Sequence, residues 1–131
     1  MLIVLRKQIK QIVDYCESNP SIEVCGILAG SNGLVEKVLF ITNQYNSPTR
    51  FFMEPTELLQ ALNWMDDQKK ELLGIFHSHP NGPETPSMTD IKEFNYPGVE
   101  SVIVTPRKGI WELFPYIIEG QSFKHSKIIA R

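Results

Sequence analysis

Two histidines separated by a single residue form the first group in this sequence that could do chemistry. His77 and His79 follow the largely apolar run 72–76, and they are two of only three histidines in the chain. If the run is a β-strand, its alternation places both imidazoles on the same face. Two imidazoles on one face supply half of a tetrahedral zinc site. A chance pair at an exposed strand end would look the same, so the histidines alone leave both interpretations open.

Asp90 is a candidate for a third ligand. It follows His79 by eleven residues, after the proline- and glycine-rich loop 80–86 and at the start of a predicted short helix. From there its carboxylate can turn back over the strand end, and a His-His-Asp set would leave a fourth position for water, as in catalytic zinc sites. The pattern Ser87-x-x-Asp90 is equally typical of a helix capping box. Asp90 is therefore either a ligand or a cap.

Glu23 is a carboxylate within the otherwise apolar run 22–29, which predicts a buried strand. Burying an ionisable group is unfavourable unless it is paired, hydrogen-bonded or shifted in pKa. A general base beside a metal site would explain Glu23, and so would a salt bridge or an edge-strand position. Cys25 shares its face by alternation and could approach a metal, but a free cysteine usually packs as a small hydrophobe.

The elements that must position these side chains follow from apolar periodicity. Helices are predicted over 6–18, from Pro55 onward with Leu58, Leu59, Leu62 and Met65 on one face, and over 89–96. Strands are predicted at 22–29 and 34–42, joined by a turn at Asn32-Gly33, and at 50–53, 72–79, 101–105, 110–118 and 122–129. Strands in mixed order with helices are typical of an α/β or α+β fold, with a mixed β-sheet flanked by helices.

Composition narrows the class of protein. The chain has 131 residues and a formal net charge of −2, which predicts a single domain over residues 1–131. No cluster of lysine and arginine offers the basic face that a nucleic acid requires. No apolar run approaches the ~20 residues of a membrane span, and no signal-peptide pattern opens the sequence, so a cytoplasmic protein is expected. Cys16 and Cys25 are expected to be reduced thiols.

Taken together, the candidate residues resemble a known signature. Glu23 opens the run 23–30, His77-Ser78-His79-Pro80 follows downstream, and six residues later comes Ser87-Met88-Thr89-Asp90. This arrangement is similar to that of the JAMM (MPN+) zinc metalloproteases, above all their compact prokaryotic members. The resemblance extends to the order of the elements and covers nearly the whole chain. It implies the MPN/JAMM core, which is cytidine deaminase-like.

The resemblance also implies a site and an activity. His77, His79 and Asp90 would bind one Zn²⁺, Glu23 would be the general base for a water in the fourth position, and Ser87 would donate a hydrogen bond to the oxyanion. The implied enzyme is an isopeptidase or peptidase that hydrolyses the bond after the Gly-Gly C-terminus of a ubiquitin-like or sulfur-carrier protein. The substrate groove is expected near Tyr45, Asn46, Phe51 and Phe52.

Three other classes of zinc protein are alternatives to this enzyme. A non-catalytic MPN-type zinc-binding interaction module would keep the fold but lose motif residues, all of which are present here. A structural zinc site would need a closed fourth ligand, for which Cys25 is the candidate. A zinc deaminase is excluded because its H-x-E and P-C-x-x-C signatures are absent. The natural substrate, the choice between isopeptide and linear bonds, and the oligomeric state stay open.

Overall fold

The computed structural model describes residues 1–131 and contains one eight-stranded mixed β-sheet with three helices. The strands are β1 (Leu2–Val4), β2 (Cys25–Ser31), β3 (Leu34–Ile41), β4 (Glu71–Ser78), β5 (Glu100–Arg107), β6 (Ile110–Glu119), β7 (Ser122–His125) and β8 (Ile128–Ala130). The helices are α1 (Arg6–Ser18), α2 (Pro55–Asp67) and α3 (Met88–Glu93). None of these helices has the length and apolar character needed to cross a bilayer.

The strand order β7-β6-β5-β4-β2-β3-β1-β8 puts β2 and β4 in the middle of the sheet. They run antiparallel, so the beginning of β2 lies beside the end of β4, with Cys25 opposite His77. Strands β4 and β5 are parallel and need a crossover connection, which here contains a loop and α3. This topology brings the start of β2, the end of β4 and α3 to one edge of the molecule.

Each face of the sheet is covered by one of the two longer helices. Helix α1 packs Ile12 and Cys16 into one core, together with Leu28 of β2 and Phe76 of β4. On the opposite face, α2 contributes to a second core, whose buried members are Cys25, Ile27, Ala29, Ile41, Met53, Ala61, Met65 and Ile75. Because β2 is covered on both faces, it reads as a continuous apolar run in the sequence.

The predicted architecture is confirmed: a mixed sheet is flanked by helices, and α1 spans the predicted residues 6–18. The hairpin between β2 and β3 turns at Asn32 and Gly33, whose φ angles of 53° and 79° are those of a tight turn with both central residues left-handed. Leu59 was predicted to share one face of α2 with Met65, but Met65 is buried whereas Leu59 is 58% exposed.

Several strand predictions are wrong in their details. Glu23 lies two residues before β2 and not inside it, while 50–53 forms only an isolated bridge between Asn43 and Met53. The predicted strand at 122–129 is two strands, β7 and β8, at opposite edges of the sheet. Strand β1 was not predicted, because three residues are too few to show an alternation.

Candidate metal and catalytic site

Four side chains from three separate segments meet at the carboxyl end of β4. Glu23, His77, His79 and Asp90 each offer one ligand atom, and these atoms all lie within 4.8 Å of one another. His77 is in β4 and His79 directly follows it, Glu23 precedes β2, and Asp90 is in the first turn of α3. The pairing of β2 with β4 and the crossover to β5 explain why residues so far apart in sequence converge.

Three of these atoms have the spacing of ligands to one small cation. Nε2 of His77 and Nε2 of His79 are 3.0 Å apart. Oδ2 of Asp90 lies 3.0 Å from Nε2 of His79 and 3.2 Å from Nε2 of His77. In a tetrahedral site with metal–ligand distances of 2.0–2.1 Å, neighbouring ligands are about 3.3 Å apart. The three observed separations are therefore close to those of a tetrahedral zinc site.

The protonation state of the cluster supports the same conclusion. Nδ1 of His79 is 2.7 Å from the carbonyl oxygen of Pro83, which can only accept a hydrogen bond. Nδ1 therefore holds the proton in the neutral ring, and Nε2 presents a lone pair toward Asp90. A lone pair facing a carboxylate oxygen at 3.0 Å is repulsive unless a cation or a proton lies between them. The donor set thus suits a metal ion.

The pKa directions of His77 and Asp90 are consistent with metal binding, whereas the raised pKa of His79 means that a proton competes for its Nε2. Burial lowers the pKa of His77, which favours the neutral ring that a metal binds. Burial acts to lower the pKa of His79, but hydrogen bonds with Asp90 and with Pro83 O outweigh it and raise the pKa. Burial likewise acts to raise the pKa of Asp90, and its hydrogen bonds with the two histidines hold the pKa well below the usual range. Asp90 is therefore anionic.

Glu23 lies beside these three residues. It is 4% exposed, and its Oε2 is 4.0 Å from Nε2 of His79. Its Oε1 is buried and has no hydrogen-bond partner within the chain. Burial raises the pKa of Glu23, the charge of His79 opposes this increase and the charge of Asp90 adds to it, with the result that the pKa is about 8. A buried carboxyl with a free oxygen and a pKa near neutrality has the properties of a general acid–base group.

Asp90 is both a cap and a member of the cluster. Ser87 is the N-cap of α3, and its Oγ accepts a hydrogen bond from Asp90 N at 3.0 Å. In return, Oδ2 of Asp90 accepts from Ser87 N at 2.9 Å while it faces the two histidines. The capping box therefore holds the carboxylate in place, so the two interpretations of Ser87-x-x-Asp90 are compatible. The Ser87 hydroxyl makes no hydrogen bond as a donor within the chain.

A cavity of about 530 Å³ opens beside His77 and Asp90. Its other lining residues are Arg50, Phe51, Phe52, Met53, Pro55, Leu58, Ile75, Thr89, Lys92, Glu93, Phe94, Asn95, Tyr96 and Ser101. Of the four groove residues expected from the sequence, Phe51 and Phe52 line this cavity, whereas Tyr45 and Asn46 do not. Phe94 and Tyr96 form a wall of the cavity that was not expected, because a helix was predicted over 89–96, whereas α3 ends at Glu93 and both residues lie in the loop that follows it.

The two cysteines lie outside the cluster. Cys25 packs in the core beneath α2 and donates its S–H to the carbonyl oxygen of Ile41 at 3.3 Å, and Cys16 lies in the core beneath α1. Burial raises the pKa of both thiols to about 12. Cys25 therefore does not supply a closing fourth ligand to the histidines.

We expect both thiols to resist alkylation in the folded protein. The thiolate is the reactive form, and neither side chain has any exposed surface. Intact-mass spectrometry after treatment with iodoacetamide should show no adduct under native conditions and two adducts in denaturant. Rapid labelling of the native chain would show that at least one thiol is accessible.

The comparison with known proteins agrees with this geometry. Residues 5–120 match the family model described as prokaryotic homologues of the JAB domain. A desampylase of Pyrococcus furiosus is 42% identical over 91 residues, which cover 70% of this chain but only 64% of that relative. A CysO-cysteine peptidase of Mycobacterium tuberculosis is 29% identical over 109 residues, or 82% of this chain and 75% of that relative.

A solved structure supports the fold. The solution structure of protein DSY2949 from Desulfitobacterium hafniense superposes with a TM-score of 0.87 at 28% identity, covering 100% of this chain and 93% of that one. The family match spans both the Glu23 segment and the histidine pair. The chain therefore belongs to the family of prokaryotic homologues of the JAB domain.

Proposed function

We propose that this chain is a zinc-dependent peptidase or isopeptidase that hydrolyses the bond after the Gly-Gly C-terminus of a ubiquitin-like or sulfur-carrier protein. The observation that carries the proposal is the convergence of Glu23, His77, His79 and Asp90 within 4.8 Å. The names of the relatives, a desampylase and a CysO-cysteine peptidase, support it.

His77, His79 and Asp90 are the proposed metal ligands, two imidazoles and one carboxylate. This donor set suits zinc, and three protein ligands are the number that leaves a catalytic zinc open to water or substrate. When bound, zinc supplies Lewis-acid chemistry, which polarises a carbonyl and lets water react near neutral pH.

Glu23 and Ser87 are the proposed catalytic residues. Glu23 takes the proton of the attacking water and passes it to the leaving amine, a task suited to a carboxyl whose pKa lies near 8. The hydroxyl of Ser87 accepts a hydrogen bond from Asp90 N, and its own proton is free to be donated to the oxyanion of the tetrahedral intermediate. Removing an oxyanion-hole donor typically reduces kcat by about 10²–10³-fold.

A Gly-Gly tail fits this site for a steric reason. Glycine has no side chain, so the substrate backbone can approach side chains that are themselves buried in the protein. The cavity beside His77 is lined by Phe51 and Phe94, among other residues. These aromatic side chains offer an apolar surface for the substrate residues next to the scissile bond. Arg50 and Glu93 also line this cavity, and they form an exposed ion pair at 3.1 Å.

We expect cleavage directly after the second glycine of the tail. The test uses a sulfur-carrier protein with a C-terminal extension and the same carrier joined to a lysine side chain, incubated with the zinc-loaded chain and read by mass spectrometry. A carrier whose Gly-Gly is replaced by Ala-Ala is the matched control and should persist. If the zinc-loaded chain cleaves neither Gly-Gly substrate, the proposed substrate class is wrong.

A further inference from the structure

We infer that Asn43 is a positioning residue for the metal site, because it ties the segment that carries Glu23 to the loop that carries Phe51. Its effect on metal binding follows from the geometry of the chain, and its effect on catalysis rests on the function proposed above. Asn43 lies two residues after the end of β3 and is 6% exposed. No motif in the sequence singles it out.

The side chain of Asn43 uses its full hydrogen-bonding capacity, two donors and two acceptor positions. Nδ2 donates to Glu23 O at 2.9 Å and to Arg50 O at 3.0 Å. Oδ1 accepts from Tyr45 N at 3.1 Å and from Phe52 N at 3.0 Å. All four partners are backbone atoms, so a single buried amide connects three stretches of main chain.

The first connection holds Glu23. Both backbone polar groups of Glu23 bond to the segment 43–47: its carbonyl accepts from Asn43, and its N–H donates to Ser47 O at 2.8 Å. Glu23 precedes β2, so it lacks the strand ladder that holds the residues from Cys25 onward. On the β4 side, Ser78 bonds the two neighbours of Glu23 and not Glu23 itself: it exchanges two hydrogen bonds with Val24, and its Oγ donates to Ile22 O at 3.5 Å. Asn43 therefore supplies one of the few bonds that fix the position of the Glu23 backbone.

The second connection holds a metal-ligand candidate through Phe51. The bonds from Asn43 to Arg50 O and Phe52 N lie on either side of Phe51 in the chain. The Phe51 ring stacks on the His77 ring, with centroids 4.5 Å apart and planes inclined by 23°. The stacked Phe51 ring restricts rotation of the His77 imidazole, and the orientation of that imidazole decides where its Nε2 points. Asn43 thus acts on both the proposed base and a proposed ligand.

The test compares two buried amides in the same chain. Asn43→Asp keeps the shape and the acceptor oxygen but removes the two donated hydrogen bonds. Gln8→Glu is the matched control, because Gln8 is also 6% exposed, its Nε2 donates to Val35 O, and its Oε1 accepts from Leu5 N, all outside the metal site. The readouts are Zn²⁺ affinity by chelator competition and the visible absorption spectrum of the Co²⁺-loaded chain.

We expect Asn43→Asp to bind Zn²⁺ about 10-fold more weakly and to change the Co²⁺ spectrum, because Phe51 is then held less firmly against the His77 ring. Losing a group that orients a ligand typically costs about 10–100-fold in metal affinity. Gln8→Glu should match the wild type in both readouts. A merely structural role would lower thermal stability in both variants without changing the metal readouts. Wild-type Zn²⁺ affinity and an unchanged Co²⁺ spectrum in Asn43→Asp would overturn the inference.

Phe51→Leu decides the question if Asn43→Asp does not fold. Leucine keeps apolar bulk but removes the stack on His77, so we expect weaker Zn²⁺ binding and an altered Co²⁺ spectrum. Wild-type behaviour of a folded Phe51→Leu variant would overturn the inference. These readouts do not require turnover: a wild type that binds Zn²⁺ but cleaves no carrier would refute the proposed function and leave this comparison intact.

Discussion

Replacing Glu23 by glutamine is expected to reduce cleavage by about 10²–10⁴-fold and to leave Zn²⁺ affinity nearly unchanged. Glutamine has the size of glutamate and fits the same buried space, but it cannot take the proton of the attacking water. The three closely spaced atoms of His77, His79 and Asp90 are not altered by the change. The measurement is kcat/KM on a Gly-Gly-linked carrier, together with the zinc content of the purified variant.

Glu100→Gln is the matched control for this prediction. Glu100 is likewise 4% exposed and has an unpartnered buried Oε1, but its Oε2 bonds the terminal ammonium of Met1 and it is not one of the clustered ligand residues. It should keep wild-type turnover even if its stability falls. Undiminished cleavage by Glu23→Gln would show that Glu23 is not the base. A protein-interaction module without catalysis would bind its partner equally well with either residue at 23.

Replacing Asp90 by alanine is expected to remove the metal. Asp90 is the one anionic side chain within 3.2 Å of both histidine Nε2 atoms, so the loss of affinity should exceed the 10–100-fold that the loss of an outer-shell partner typically causes. The same variant loses the hydrogen bond that the carboxylate accepts from Ser87 N at the start of α3. The measurement is zinc per chain after extensive dialysis.

Ser87→Ala separates the two roles of Asp90. It removes the hydroxyl that caps Asp90 N, which typically lowers stability by about 0.5–2 kcal/mol, but it leaves the carboxylate in place. We therefore expect this variant to retain zinc after the same dialysis. If Asp90→Ala also retains stoichiometric zinc, then Asp90 serves only as a helix cap.

The side chains of the site could be recognised from the sequence because their chemistry and spacing are local features. His77 and His79 share a face of their strand by alternation. Asp90 lies in the first turn of a helix that follows a loop rich in proline and glycine. The sequence could not decide between cap and ligand for Asp90. In the structure the two roles are compatible, since one carboxylate oxygen has enough lone pairs to accept from Ser87 N and also face both imidazoles.

What the sequence could not predict depends on contacts between distant residues. Strand β1 pairs with β3 and β8, and three-residue strands carry no periodic signal of their own. The segment 50–53 was predicted as a strand, but its backbone bonds go to the side chain of Asn43 and to the backbone of Gln44, and not to a neighbouring strand. One asparagine with four backbone partners has no signature in a single sequence. Its role is visible only in three dimensions.

We propose that Glu23, His77, His79 and Asp90 together form a metal-dependent hydrolytic site. The most direct test measures cleavage of a Gly-Gly-linked carrier conjugate by one preparation of the wild-type chain in three states: as purified, after removal of metal by a chelator, and after addition of one equivalent of Zn²⁺ to the stripped chain. We predict that cleavage is lost with the metal and returns with zinc. Full cleavage by the stripped chain would show that hydrolysis does not depend on a metal at this site.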